Sequence, residues 1–275
     1  MLGDLVEAVR EQVGIKTDFT VLLLTVALLL ARILPTIILT PMVGGETTPS
    51  EVKLGLGVLI ALVLMPGVQD RMQYIPLSPL PFVALLMKEL FIGYALSFIV
   101  SLVFDAAQIA GGLMDNMSGT NQAQLMVPSI QQQVSLYASL QVQLFVTLFL
   151  TMNGHHLVIH SFADSLASIP LDGFPHFSHG AWPFFDLVIR VFGDLFRVSL
   201  ALSAPVLLAT FLTDLALGMI NRVAPQVQVF FIAGQIKPTV AAVVMFASIH
   251  VIFIRVVDEY GVMFTWLKRA LMLLS

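Results

Sequence analysis

The chain has 275 residues, of which 58% are hydrophobic and 11% are charged, and its net charge is -4 at pH 7. Soluble domains are about 45–50% apolar and about 25% charged, so this composition and the mean hydropathy of +0.94 exclude a free water-soluble enzyme. Binding to nucleic acid is also excluded, because it needs clustered cations that the chain lacks. The absence of cysteine excludes disulfides and thiolate chemistry.

Residues 1–18 predict an amphipathic helix and not a secretory signal. Charges of both signs interrupt this stretch, whereas a signal has a basic start followed by an uninterrupted apolar run. Leu2, Leu5, Val9 and Val13 recur at helical spacing. We expect a short helix that lies on the bilayer or docks on another part of the protein.

Long apolar stretches dominate the remainder of the chain. They occupy 19–43, 53–68, 80–104, 134–152, 187–220 and 239–257. Because a spanning helix needs about 20 residues, the second stretch is short and the fifth is long enough to bend or to divide. A final amphipathic segment at 262–274 carries Trp266, which suits a membrane interface. The sequence therefore predicts an all-α, membrane-associated protein with about six long, partly kinked apolar helices.

Prolines and charges interrupt these stretches. Pro35, Pro41 and Pro205 remove backbone donors, so we expect the helices to kink there. A charged side chain that faces lipid costs at least a few kcal/mol, so charges within the stretches are expected to face protein or water. These charged residues are Arg32, Lys88, Glu89, Asp105, Arg190, Asp194, Arg197, Asp214 and Arg255.

Small residues recur every four positions in the third stretch. Gly93, Ser97 and Ser101 form one ridge, which Asp105 continues. Such a ridge lets another helix approach closely and allows hydroxyl contacts. The approaching helix belongs either to a partner subunit or to this same chain.

The fifth stretch places Arg190, Asp194 and Arg197 on one helix face. A buried carboxylate between two guanidiniums is the arrangement expected where lipid is excluded. A proton-coupled transporter of a small solute, with Asp105, Asp194 or Asp214 as its proton site, would also bury carboxylates. We find no convincing repeat between the two halves of the chain.

The stretch 106–133 is polar and is expected to form a loop. It contains no Lys or Arg and one carboxylate, and it is rich in Gly, Ser, Asn and Gln with interspersed Met. Long polar connections between apolar helices are unusual unless functional or disordered, and methionine re-packs easily. The loop is therefore either a plain extramembrane connection or a deformable plug. The candidate plug residues are Gly111, Gly112, Met114, Asp115, Asn116, Met117, Ser118, Gly119, Thr120, Asn121, Gln122, Met126 and Pro128.

Histidines in the expected loop 153–186 offer a weak metal hypothesis. His156 and His160 are four residues apart and share a helix face, as zinc ligands do, so an intramembrane metalloprotease is a third hypothesis. The His-Glu-x-x-His pattern is not met, and no third ligand is placed. The chain also lacks a Walker A loop. We predict no catalytic residues, no metal and no cofactor.

Several motifs are similar to a known family. They are Ala204-Pro205, Asp-Leu-Ala-Leu-Gly at 214–218, Asn-Arg-Val-Ala-Pro-Gln-Val-Gln-Val-Phe at 221–230, Arg32 with Pro35 and Pro41, Lys-Leu-Gly-Leu-Gly at 53–57, Pro66, Asn-Gly-His at 153–155, and Ser161-Phe162 to Pro170. On these the chain resembles the FliR/SctT family, inner-membrane export-apparatus proteins of bacterial flagellar and injectisome type III secretion systems. The resemblance covers essentially the whole chain in order. Gln228 and Gln235 depart from the residues common in the family.

The resemblance implies a non-enzymatic part of an export gate that conducts unfolded substrates through the bacterial inner membrane. Partners of the FliP/SctR, FliQ/SctS and FlhB/SctU types are expected, together with membrane lipid. Much of the family's assembly sits raised out of the bilayer plane, so its apolar helices would pack on neighbours rather than on lipid. Residues 1–180 would be similar in fold to the first partner and 181–275, a helical hairpin, to the second. The family's plug loop matches 110–128.

The sequence also nominates residues for subunit packing or buried charge. These are Arg32, Gly93, Ser97, Ser101, Asp105, Arg190, Asp194, Arg197, Asp214, Arg222, Pro225, Gln226 and Lys237.

Overall fold

The computed structural model describes residues 19–43, 45, 48–120, 135–177, 180–226 and 228–275. Their helices are α1 (Phe19–Leu39), α2 (Ser50–Leu64), α3 (Pro79–Ser118), α4 (Leu136–Thr151), α5 (Gly154–Ser168), α6 (Trp182–Val223) and α7 (Val229–Leu274), with 3₁₀ segments at Pro41–Val43 and Met65–Tyr74. The described part contains no strand, so the all-α prediction is confirmed. The helix expected at 1–18 lies outside the described residues.

Some predicted boundaries were wrong. α3 continues past 104 to Ser118, and α5 forms inside the expected loop 153–186. The stretches 239–257 and 262–274 belong to one helix, α7. Polar sequence within a buried helix stays helical because the helix satisfies its own backbone hydrogen bonds, which no water would satisfy there.

The prolines have different effects on the helices. Pro41 starts a 3₁₀ turn directly after α1 ends at Leu39. Pro35, Pro205 and Pro238 lie inside α1, α6 and α7, which continue past them. The fifth apolar stretch is thus one helix and not two pieces.

α3 is the central helix, and it packs against α1, α4, α6 and α7. An aromatic cluster ties three of these elements together: the Phe149 ring lies 5.3 Å from Tyr260 and 5.4 Å from Phe104 between centroids. Tyr260 Oη donates a 2.6 Å hydrogen bond to the carbonyl oxygen of Phe145. The N-terminal and C-terminal parts therefore share one hydrophobic core. The division at 180/181 stays a prediction.

α7 shows how helical periodicity places its two halves. In the second half, buried residues recur at spacings of three and four, the pattern of a helix that buries one stripe. They are Ile252, Val256, Tyr260, Met263, Leu267, Leu271 and Leu274. In the first half, large apolar side chains are exposed, including Val243 at 63% and Phe246 at 68%.

The long helices exceed the thickness of a bilayer. α3, α6 and α7 have 40, 42 and 46 residues, which at about 1.5 Å per residue gives roughly 60 to 69 Å against about 30 Å of hydrocarbon. Among the described residues, five helical segments are long and apolar enough to cross a membrane, one of them α2 together with the 3₁₀ segment that follows it (Ser50–Tyr74). The number rises to six if the α4–α5 pair, bent by 70°, counts as one span.

Candidate functional site

A buried ion network joins α1 and α3. Arg32 and Glu89 are 0% exposed and Lys88 is 6% exposed. Arg32 Nε donates to Glu89 Oε2, and its Nη2 donates to Oε1 at 2.9 Å. Lys88 Nζ lies 2.6 Å from the same Oε1. Two cations thus share one carboxylate, and one positive charge remains to be compensated.

Backbone carbonyls at the end of α5 compensate that charge. Lys88 Nζ donates to the carbonyl oxygens of Pro170 and Gly173, both at 2.9 Å, and Arg32 Nη2 donates to that of Ile169 at 2.9 Å. These carbonyls follow the last residue of α5, Ser168, and each buried carbonyl oxygen needs a donor, which the two cations supply. The network therefore holds the segment after α5 against α1 and α3.

The sequence motifs nominate Arg32 as a site residue, but not Lys88 or Glu89, its partners in the network. Arg32 and Glu89 are 57 positions apart, so no local spacing reveals the pair. The sequence does show that Lys88 and Glu89 interrupt an apolar stretch. It does not show that Arg32, a buried cation on another helix, lies beside them.

The small-residue ridge packs at Gly93 against the same chain. A Cβ at Gly93 would lie 2.5 Å from the carbonyl oxygen of Arg32, so α1 approaches α3 as closely as glycine allows. At Gly93 the approaching helix therefore belongs to this same chain and not to a partner subunit. Ser97 is buried, and Ser101 Oγ donates to Asp105 Oδ2 at 2.9 Å.

The predicted buried carboxylate between two guanidiniums is not formed on α6. Arg190 Nε instead lies 2.7 Å from Asp186, and Arg197 Nη1 lies 3.7 Å from Asp194. The Arg190 and Arg197 side chains are 64% and 74% exposed. The expectation failed because these guanidiniums lie on the face of α6 away from the chain's own core.

The remaining hairpin residues lie near the turn between α6 and α7. Lys237 Nζ lies 3.0 Å from Asp214 Oδ1 and links the two helices. Arg222, Pro225 and Gln226 are exposed. None of these three is buried by the described part of the chain.

The first part of the range predicted for the plug loop is helical, and the plug itself stays a prediction. Residues 110–118, which the predicted range 110–128 includes, form the last turns of α3, and Gly119 at a φ of 78° ends the helix. Gly111, Met114, Asp115 and Ser118 are buried within those turns, whereas Gly112, Asn116 and Met117 are not. Asn121, Gln122, Met126 and Pro128 lie outside the described residues.

Asp115 connects the end of α3 with the start of α4. Its carboxylate is 0% exposed and accepts hydrogen bonds from the backbone N–H of Tyr137 at 3.1 Å and of Ala138 at 3.2 Å. Thr120 Oγ1 donates to the same carboxylate at 3.0 Å. Both ends of the polar connection thus meet one side chain.

The histidines do not assemble into a site. His156 and His160 are exposed, and the rings of His155 and His156 lie 4.4 Å apart between centroids. Within the described ranges, no group of three or more His, Cys, Asp or Glu side chains is placed to hold a metal ion.

These features define a class: a multi-pass helical membrane protein with an internally compensated ion network and helices longer than a bilayer. The family model described as bacterial export proteins, family 1, matches residues 23–262, and the chain belongs to this family. The family resemblance predicted from the motifs is thereby confirmed, and the chain is a multi-pass protein of the bacterial inner membrane.

Curated relatives come from several bacteria. A flagellar biosynthetic protein FliR of Pectobacterium carotovorum subsp. carotovorum is 34% identical over 76% of this chain and 78% of its own length. The FliR of Bacillus subtilis is 26% identical over 90% and 95%. Yop proteins translocation protein T of Yersinia pestis is 27% identical over 81% and 85%.

Proposed function

We propose that the chain is a non-enzymatic subunit of a type III secretion export gate. It packs with FliP/SctR-type, FliQ/SctS-type and FlhB/SctU-type subunits and helps to enclose a channel for unfolded export substrates. The relatives named for flagellar biosynthesis and for Yop translocation support this function.

The proposal depends mainly on the exposed apolar surface of α6, which is longer than the hydrocarbon layer of a bilayer is thick. α6 exposes large apolar side chains from Trp182, 72% exposed, through Phe211 at 52% to Val223 at 85%. This surface follows a helix of 42 residues, about 63 Å long, whereas the hydrocarbon layer is about 30 Å thick. Apolar surface of that extent outside lipid marks a contact with other proteins.

The exposed charges of α6 support the same conclusion. Arg190 and Arg197 share their helix with this apolar surface, and their side chains are mostly exposed on the isolated chain. Arginine that faces hydrocarbon is costly, so protein or water surrounds this part of α6 in the assembly.

Substitution of an exposed aromatic residue tests partner packing. Phe211→Asp is expected to abolish co-purification of two small hydrophobic partners in mild detergent, because a carboxylate would be buried without a partner at the contact. Phe174→Asp, at a residue 55% exposed between α5 and α6, is the matched control and keeps the partners. If Phe211→Asp instead removes the chain itself from the membrane while Phe174→Asp does not, Phe211 faces lipid and the proposal of a protein-covered α6 fails.

The polar connection between α3 and α4 is proposed as the plug of the closed channel. Its composition supports this role, since 119–134 has no charged residue and is rich in Gln, and it also contains Asn121, Met126 and Ser129. Such a segment tolerates water and re-packs easily. Replacing 123–132 by a Gly-Ser repeat of equal length is expected to raise ion leak through assembled gates. An unchanged leak with normal assembly would contradict the plug.

The alternative of a proton-coupled transporter makes a different prediction. A transporter works alone, so the purified chain in liposomes would show proton-linked uptake of a small solute. The export proposal expects no such uptake, because the channel is completed only by partner subunits.

A further inference from the structure

Asp115 is a buried carboxylate whose charge is stabilised by a helix end. The first N–H groups of α4 have no intrahelical partners, and a helix N-terminus carries partial positive charge. Asp115 accepts two of these N–H groups, from Tyr137 and Ala138. The carboxylate therefore acts as an N-terminal cap contributed by a different helix.

The same residue also holds the segment that leaves α3. Thr120 Oγ1 lies 3.0 Å from both Asp115 Oδ1 and the Asp115 carbonyl oxygen, so its single hydroxyl hydrogen is shared between these two acceptors. Ser118 Oγ donates to that carbonyl oxygen at 3.2 Å. The left-handed conformation of Gly119 lets the chain turn back so that Thr120 reaches Asp115.

Close packing surrounds this junction. A Cβ at Gly111 would lie 2.2 Å from Ala138 Cα, so α3 and α4 are in backbone contact one turn below Asp115. Tyr137 Oη donates to the carbonyl oxygen of Pro238 at 3.2 Å and links the start of α4 to α7. Met114 and Tyr137 also belong to a hydrophobic cluster that includes residues of α6 and α7.

We propose that Asp115 is a positioning residue that fixes the two points between which the polar connection runs. It holds Thr120 and the first turn of α4 against the end of α3, and these positions are anchored in turn to the hairpin through Tyr137. The proposal rests on the plug function, because it is the plug whose ends Asp115 would position. The junction itself consists only of described residues.

A cysteine reporter measures this anchoring. The chain has no cysteine, so Ser135→Cys, next to the start of α4, gives a single thiol whose maleimide labelling is followed in membranes that contain the complete export apparatus. Loss of an N-terminal cap costs about 1 to 2 kcal/mol, which changes a local opening equilibrium by a factor of about 5 to 30. Asp115→Ala is expected to accelerate labelling by this factor, and Asp115→Asn by less because one oxygen acceptor remains.

Two controls separate anchoring from general loosening. Asp164→Asn removes an exposed carboxylate on α5 and should leave the labelling of Ser135→Cys unchanged. Ser203→Cys, at a buried position on α6, reports on the rest of the fold and should label equally slowly with and without Asp115→Ala. Equal acceleration at both reporters would mean that Asp115 merely stabilises the whole protein, and the proposal would be overturned.

Ion leak, measured in the same cells, separates this proposal from the plug function. Faster labelling with increased leak supports both. Faster labelling with unchanged leak supports the positioning role of Asp115 and contradicts the plug. Unchanged labelling at Ser135→Cys contradicts the positioning role, whatever the leak.

Discussion

Glu89 carries the negative charge that permits two cations to be buried side by side. Glu89→Ala removes both acceptor oxygens. Arg32 and Lys88, which are 0% and 6% exposed, are then left as two neighbouring buried positive charges that repel each other. Removing one partner of a buried ion pair costs about 3 to 5 kcal/mol, because the remaining charge is uncompensated. Here two cations lose their counter-ion, so we expect the upper part of that range.

The thermal midpoint of the detergent-solubilised protein measures this loss. A destabilisation of this size lowers the thermal midpoint by about 10 °C for a chain of this length. Glu89→Gln keeps one acceptor oxygen and the side-chain shape, so its midpoint should lie between those of Glu89→Ala and the unsubstituted protein. Glu51→Gln, in the exposed first turn of α2, is the matched control and should shift it little.

The order of the thermal midpoints of these variants tests whether Glu89 compensates the two buried cations. If Glu89→Ala melts together with Glu51→Gln, the carbonyl oxygens after α5 compensate both cations by themselves. The negative charge of Glu89 would then not be what permits the two cations to be buried side by side.

Two further predictions concern packing around α4. Gly111→Ala should destabilise the protein by about 1 to 3 kcal/mol, since its Cβ would lie 2.2 Å from Ala138 Cα. The adjacent Gly112→Ala, which has open space around it, is the control and should be neutral or slightly stabilising. Equal thermal midpoints for the two variants would contradict the close approach of α3 and α4. Tyr260→Phe removes the buried 2.6 Å hydrogen bond to the Phe145 carbonyl oxygen and should lower the free energy of unfolding by about 0.5 to 1.5 kcal/mol in the same melting assay. A thermal midpoint at or above that of the unsubstituted protein would show that the hydroxyl does not stabilise the fold.

The sequence was informative about charges but not about their partners. It marked Arg32, Lys88 and Glu89 as residues that lipid would not tolerate, and all three are buried in protein. Helical spacing predicted Asp194 as the partner of both Arg190 and Arg197, but only Arg197 lies near it, whereas Arg190 pairs with Asp186, and both arginine side chains are largely exposed. Spacing on a helix identifies a shared face, but it does not reveal which face the rest of the chain covers.

Polarity misled the interpretation of the segment after 104. Its Gly, Ser and Asn residues indicated a loop, yet 105–118 is helical and buries about half of its residues. Gly111 allows the close contact with Ala138, and Asp115 accepts hydrogen bonds from the first turn of α4. Both reasons depend on a helix that begins beyond the polar connection, so neither is visible in the local sequence.

Hydropathy and periodicity alone determined that this is an all-α membrane protein, because lipid admits long apolar segments only when each satisfies its own backbone. The motifs at 204–230 determined the family. The tertiary structure decided which helices are continuous and which charges are compensated within the chain, and it joined Asp115 to α4 and Glu89 to Arg32. These pairings join positions far apart in sequence, and only packing in three dimensions brings such positions together.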